Sequence, residues 1–422
     1  MISSEGGDVA RRPLALMLTA DRQIDRRILL EADALEADGW AVRILAMPLD
    51  GPDTGRDPRV QRLGINLRRN AREFLILELY RKARAMMPMN SAAMRYMKAL
   101  AWTYFVDQEQ FYVGLFLNEA LRHPADLVVA HDLPMLPVAA RVAEVKGSKL
   151  VYDSHELFSE QEFSDREKRR WRGIEDCYIR LADRVITVNQ SIAEELEKRY
   201  ALPKVHVILN AERPYRAAEP AEQGLRQRLG LGSEAVIGLF QGGMSAGRNL
   251  ETLVRAMAQV SVSGLHLVFL GDGQMASPLS RLSHDLGLEK RIHFLAAVPQ
   301  NELLALTASA DFGIIAYQPL CLNTRYCTPN KLFEFIAAKL PMVASDLPEL
   351  NHFVSGYGIG LTGDLSSASS AARMLSSMAA DKGGRETFRR RIGEVREFVS
   401  WDVEGPKFAA LIAGLKPGAG NP

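Results

Sequence analysis

Residues 312–348 read FGIIAYQPLCLNTRYCTPNKLFEFIAAKLPMVASDLP. A short β-branched apolar run at Phe312 to Ala316 gives way to a polar stretch, then a helix start, then a second apolar run at Met342 to Ala344. Thr328 can cap the helix, Pro329 suits its first turn, and Leu332, Phe333, Phe335 and Ile336 recur at helical spacing. Strand, helix, strand in this order predicts two parallel strands joined by a crossover helix, because a tight turn cannot connect parallel strands.

The same rhythm extends outward from this unit. Upstream, the pattern predicts strands at Val236 to Phe240, His266 to Leu270 and Arg291 to Phe294. A separate series precedes these, with strands at Leu14 to Leu18, Ala41 to Ala46, Asp126 to Ala130, Lys149 to Tyr152 and Arg184 to Val188, and a helix from Arg26 to Asp38 ending at Gly39. Two series predict an α/β protein of two Rossmann-like lobes, each a doubly wound parallel sheet. The Pro-, Ala- and charge-rich stretch from Asn210 to Glu222 is the expected linker. This divides the chain into a first lobe at 1–212 and a second at 213–399, with a C-terminal helix within 400–422 returning to the first.

A chain of 422 residues fits this division, since single cores stop growing at about 250–300 residues. Basic and acidic groups nearly cancel at 52 and 51, which argues against nucleic acid as a partner. The three cysteines, Cys177, Cys321 and Cys327, fit a reducing cytosol better than a disulfide framework or a structural zinc site. Residues before Leu14 read as a disordered leader, and no stretch approaches the roughly 20 apolar residues that cross a bilayer. Segment 68–98 is different. It carries eight basic residues against Glu73 and Glu78, interleaved with large apolar side chains. That composition suits a helix lying on an anionic membrane surface, here the inner face of the cytoplasmic membrane; the alternative is a pair of covering helices with a solvated basic edge.

The helix start near Thr328 is a candidate anion site, because first-turn N–H groups and the positive end of the dipole favour negative charge. Arg325 and Lys331 flank it and add charge suited to a diphosphate. Glu334, one turn inside, could accept from a ribose diol. The plain alternative is a capped helix with an exposed Glu and Lys. A second candidate is the loop FQGGMSAGRNLE at Phe240 to Glu251, where Gly242 and Gly243 permit close backbone approach and Arg248 supplies a cation. Gly271 ends the following strand in the same manner. In the first series, His131 with Asp132 and His155 with Glu156 each directly follow an apolar strand, where open α/β sheets contact ligands. Asp21, Arg22, Asp25, Arg26 and Arg27 crowd a loop-to-helix junction that could equally be an exposed first turn.

In order and spacing, DLVVAHDLPMLPVAA, KLVYDSHELF, ADRVITVNQSIAEEL, GMSAGRNLETLVRA, LVFLGDG, RIHFLAAVPQNELLALTASADFGIIAY and PNKLFEFIAAKLPMVASDLPEL resemble the retaining nucleotide-sugar glycosyltransferases of GT-B fold, family four, often described as group 1. The resemblance covers nearly the whole chain. It implies a cleft between the lobes, a nucleoside-diphosphate sugar held mainly by the second and a glycan or lipid-linked acceptor held mainly by the first. On the donor side it implies Gly242, Gly243, Arg248, Gly271 and Val298, together with Arg325, Asn330, Lys331, Leu332 and Glu334. On the acceptor side stand Asp21, Arg22, Arg26, His155 and Glu156. His131 matches the first-lobe histidine that reaches the donor sugar, and His131, Arg248 and Lys331 are the expected catalytic set. The sequence departs from the family at two points. The first glutamate of the paired-glutamate motif falls near Tyr326, and a phosphate-binding cation falls at Gly243, with Lys331 or Arg325 to compensate. Retention, surface polysaccharide assembly and independence from metal or other cofactor are implied. A nucleotide-sugar epimerase and a non-catalytic binding subunit of an assembly complex are the rival readings.

Overall fold

The structure, a computed structural model, describes residues 12–49, 57–64, 107–216 and 224–416. Residues 1–11 of the expected leader, the 68–98 segment, residues 217–222 of the linker and the last six residues lie outside that set.

The first lobe holds strands β1 (Leu14–Thr19), β2 (Ala41–Ala46), β3 (Val60–Arg62), β4 (Leu127–His131), β5 (Lys149–Ser154), β6 (Arg184–Thr187) and β7 (His206–Val207). They form a parallel sheet in the order β3-β2-β1-β4-β5-β6-β7. Alternate residues supply two cores. Leu16, Leu18, Val128 and Ala130 pack on one face, and Ala15, Met17, Leu127 and Val129 on the other. Burial on both faces is what makes these strands read as unbroken apolar runs. The helix Arg26–Ala37 covers the second face, its start fixed by Asp25, whose carboxylate accepts from the Arg27 amide at 2.8 Å.

The second lobe holds β8 (Val236–Gln241), β9 (Leu265–Leu270), β10 (Ile292–Leu295), β11 (Phe312–Ile315), β12 (Met342–Ser345) and β13 (Gly360–Gly363). Their order is β10-β9-β8-β11-β12-β13, again parallel. Strand order reverses between β1 and β4 in one lobe and between β8 and β11 in the other. Loops leaving such a reversal splay apart and open a crevice at the carboxyl edge of the sheet.

The helix Trp401–Ala413 buries Trp401, Phe408 and Ile412 with Ala15, Met17 and Ile28 of the first lobe. Glu404 accepts from the Leu209 amide at 2.9 Å, so the segment between the lobes is tied to it.

Two local expectations are corrected. The helix of the quoted stretch runs from Asn330 to Ala337 with Pro329 at its N-cap and no capping side chain. Thr328 instead lies buried against the first lobe, its hydroxyl accepting from Asn189 Nδ2 at 3.2 Å. His131 closes β4 rather than following it, and β5 runs on to Ser154, so Asp153 is also a strand residue.

Candidate active site

The crevice between β8 and β11 gathers the charged groups of the second lobe. Lys331 sits in the first turn of helix Asn330–Ala337, and its Nζ lies 3.7 Å from the Phe240 ring centroid and 5.7 Å from that of Tyr317. Only 4% of Lys331 is exposed, and its ammonium has no hydrogen-bond partner among the described residues. Arg248 donates to the Tyr317 hydroxyl at 2.8 Å and to Ser245 Oγ at 3.1 Å. Two cations thus share one tyrosine. Burial, and then Arg248, hold the Lys331 amine well below the usual lysine range. Burial also pushes the Tyr317 phenol up to about 12. A desolvated cation beside a second cation is relieved by an anion or by losing its proton.

The glycine loops border this cation. A Cβ on Gly242 would lie 3.9 Å from Lys331 Nζ, and Gly242 takes a φ of 104°. Gly271 has a φ of 143°, and its Cβ would lie 2.3 Å from the Gly242 carbonyl oxygen, so glycine there lets the loops after β8 and β9 lie against each other. Gly243 is exposed beside them. Glu334 is buried and accepts from Gln241 Nε2, while Gln241 Oε1 accepts from Thr307 at 2.8 Å. Burial pushes the Glu334 carboxyl up. A solvated Glu and Lys on a plain capped helix therefore do not describe this element.

Other donor-side residues are placed differently. Leu332 belongs to the core, and its amide donates to Pro329 O at 2.8 Å. Asn330 Nδ2 donates to Asp25 at 3.3 Å, and Asn330 Oδ1 accepts from Asn210 at 2.9 Å. Val298 is half-buried against the second-lobe core, and Arg325 is exposed on the short helix Leu322–Arg325.

On the first lobe, Arg26 pairs with Glu212 and feels the charge of Glu334, which puts it beside the donor-side carboxylate rather than on a separate acceptor face. Glu156 accepts from Gln161 and, at 2.6 Å, from Asn323 of the second lobe, whose own carbonyl oxygen accepts from the Leu157 amide at 3.0 Å. This residue bridges the lobes. The Asp21 amide donates to Thr19 Oγ1 at 3.0 Å, and Arg22 is exposed near it.

The carboxyl ends of β4 and β5 carry a buried network. Arg27 donates to both oxygens of Asp153 at 2.9 Å each and to the Ile208 carbonyl at 2.8 Å, and it pairs with Glu31 at 2.9 Å. His155 Nε2 lies 2.9 Å from Asp153 Oδ2, and His131 Nδ1 lies 3.3 Å from the same oxygen. Against burial, Arg27 and the histidines hold the Asp153 carboxyl well below the usual range. Burial pushes Asp132 up to about 8, and Asp132 takes a φ of 63°. His131, Asp153 and His155 also converge closely enough to approach one metal ion, but Arg27 already occupies both oxygens of Asp153. Sequence reading missed Glu31, Gln241, Tyr317 and the part played by Asp153. Only Asp153 left a signal, in YDSHELF.

Residues 24–211 match the glycosyl transferase 4-like domain, and residues 235–379 match the glycosyl transferases group 1 domain. The chain belongs to the group 1 glycosyltransferases. An uncharacterized glycosyltransferase of Methanocaldococcus jannaschii is 29% identical over 232 residues, 52% of this chain and 56% of the relative. A lipopolysaccharide core biosynthesis glycosyltransferase of Rhizobium meliloti is 24% identical over 216 residues, 51% of this chain and 59% of the relative. The match thus spans less than two thirds of either curated relative. Anabaena HepE, solved in complex with UDP and glucose, superposes with a TM-score of 0.67 at 16% identity, over 96% of this chain and 100% of that one. That likeness shows the shared GT-B fold.

Proposed function

We propose that the protein moves a sugar from a nucleoside-diphosphate donor to a glycan or lipid-linked acceptor, with retention of configuration and without a catalytic metal, in surface polysaccharide assembly. One observation carries this reading: the buried ammonium of Lys331, without a hydrogen-bond partner among the described residues, beside Arg248 and a glycine loop at a strand-order reversal. It is a site short of an anion. The UDP bound by Anabaena HepE and the lipopolysaccharide role of the Rhizobium relative support the donor and the setting.

In the transfer, the bond from the anomeric carbon to the β-phosphate oxygen breaks through an oxocarbenium-like state, and a bond to the acceptor oxygen forms. The acceptor's proton passes to the departing phosphate, so no protein base is assigned. Lys331 and Arg248 stabilise charge as it grows on the leaving diphosphate, in a dry pocket where such charges act strongly. Glu334, released from Gln241, accepts from the ribose. The basic, apolar 68–98 segment would hold the enzyme near a lipid-linked acceptor on an anionic membrane surface.

Incubation with a panel of radiolabelled nucleotide sugars tests this. Release or transfer of the labelled sugar is expected. Interconversion of the sugar while still attached to nucleotide would instead indicate an epimerase. Binding without turnover would indicate a binding subunit, the reading favoured by Tyr326 and Gly243 where the family carries charge.

A further inference from the structure

We propose that Asp153, held by Arg27, is a positioning residue that keeps His131 in its Nδ1–H tautomer and so leaves Nε2 as an acceptor for a hydroxyl of the donor sugar. The identity of that hydroxyl rests on the transfer reading above; the tautomer does not.

The argument begins with the carboxylate. Asp153 is wholly buried, and Arg27 grips it with two parallel N–H groups while a third donor is anchored on the Ile208 carbonyl. Such a fork fixes orientation as well as charge, which a lysine cannot do. An ionised carboxylate only accepts, so each nitrogen close to it should carry hydrogen. Two ring nitrogens converge on Asp153 Oδ2, His155 Nε2 at 2.9 Å and His131 Nδ1 at 3.3 Å, and they lie 3.2 Å from each other. A lone pair on His131 Nδ1 would face a carboxylate oxygen. A proton there faces an acceptor instead.

His155 has a second anchor, since its amide donates to Asp132 Oδ1 at 2.9 Å and its Nδ1 lies 3.5 Å from Asp132 Oδ2. His131 has none. With Nδ1 protonated and the ring neutral, its Nε2 is an acceptor, and that atom is buried with no hydrogen-bond partner among the described residues. Burial lowers the basicity of His131, which keeps the ring neutral. A buried acceptor left unmet carries a cost that a donor-bearing ligand removes. A sugar hydroxyl supplies that hydrogen.

The test is ¹⁵N NMR of histidine-labelled protein at neutral pH, with His131 assigned by the signal lost in His131→Gln. The wild-type ring should show a protonated Nδ1 and a bare Nε2. In Asp153→Asn the side-chain amide can donate to Nδ1, and the proton should move to Nε2. Once a donor is found, Asp153→Asn should lower kcat by roughly 10- to 100-fold with KM little changed, as for outer partners of ligating histidines. A wild-type His131 protonated on Nε2 or on both nitrogens overturns the proposal, as does a folded Asp153→Asn with unchanged tautomer or unchanged kcat. If Asp153→Asn does not fold, the wild-type spectrum alone decides. If no nucleotide sugar turns over, the transfer reading fails while the tautomer is still measured.

Discussion

Replacing Lys331 by methionine keeps the length and apolar stem of the side chain and removes only its charge. In the free protein the ammonium is buried and without a hydrogen-bond partner among the described residues, its nearest compensation being the face of Phe240 at 3.7 Å. An unmet buried polar group costs about 1–3 kcal/mol, of which a cation–π contact returns part. Lys331→Met should therefore stabilise the free protein. Each kcal/mol moves Tm by about 2–4 °C for a lobe of this size. Nucleoside diphosphate binding should move the other way, losing a charged hydrogen bond worth about 1.5–3 kcal/mol, roughly 10- to 150-fold in Kd. The pH dependence follows from the same group. Burial and Arg248 depress its pKa in the free enzyme, whereas a bound diphosphate restores it. Above the depressed value, binding takes up a proton, so affinity falls as pH rises, by up to about tenfold per unit. In that same window the unfolded chain holds a proton that the free folded protein lacks, so the stability of the free wild type rises with pH. Both trends should vanish in Lys331→Met. Thermal unfolding and calorimetric titration from neutral to alkaline pH read all of these together. A variant that is less stable than wild type and binds nucleoside diphosphate equally well would refute the reasoning.

Three further outcomes are expected. Gly271→Ala should abolish donor binding and lower Tm, because its Cβ would meet the Gly242 carbonyl at 2.3 Å; unchanged binding by calorimetry would detach this loop pair from the site. Transfer should survive EDTA, and activity lost on chelation and restored by Mg²⁺ would place a metal on the diphosphate. Changing Arg81, Lys82 and Arg84 together to glutamine should weaken co-sedimentation with anionic vesicles by up to about 3 kcal/mol at low salt, with nucleotide binding untouched; wild-type protein that stays in the supernatant would remove the membrane from the account.

The sequence reveals the central strands because parallel strands buried on both faces leave continuous apolar runs, as at Leu14–Thr19 and Phe312–Ile315. The short edge strands β3, β7 and β13 carry only two to four residues, with His206 in β7 and two glycines in β13, and leave no such run. Lys331, Glu334 and Arg248 were legible because they sit at helix starts and on a glycine loop, which are local features. The burial of Lys331 and Glu334 was not. It comes from Phe240, Gln241 and Tyr317 on two other segments. Arg27 and Asp153 lie 126 positions apart, and only the pairing of β1, β4 and β5 brings their elements together. Thr328 looked like a cap because capping is the common use of a threonine before proline, yet Asn189 of the other lobe takes it instead.

The most direct measurement is a cycle between phosphate and lysine. Wild type and Lys331→Met are each titrated by calorimetry with the nucleoside diphosphate selected in a screen of UDP, GDP and ADP, and with the matching monophosphate. If Lys331 and Arg248 hold the diphosphate, removing the β-phosphate should cost wild type roughly 10-fold or more in Kd and cost Lys331→Met much less, a coupling above about 1 kcal/mol. Equal losses in the two proteins, or no binding of any nucleotide to wild type, would contradict a nucleotide-sugar site in this crevice.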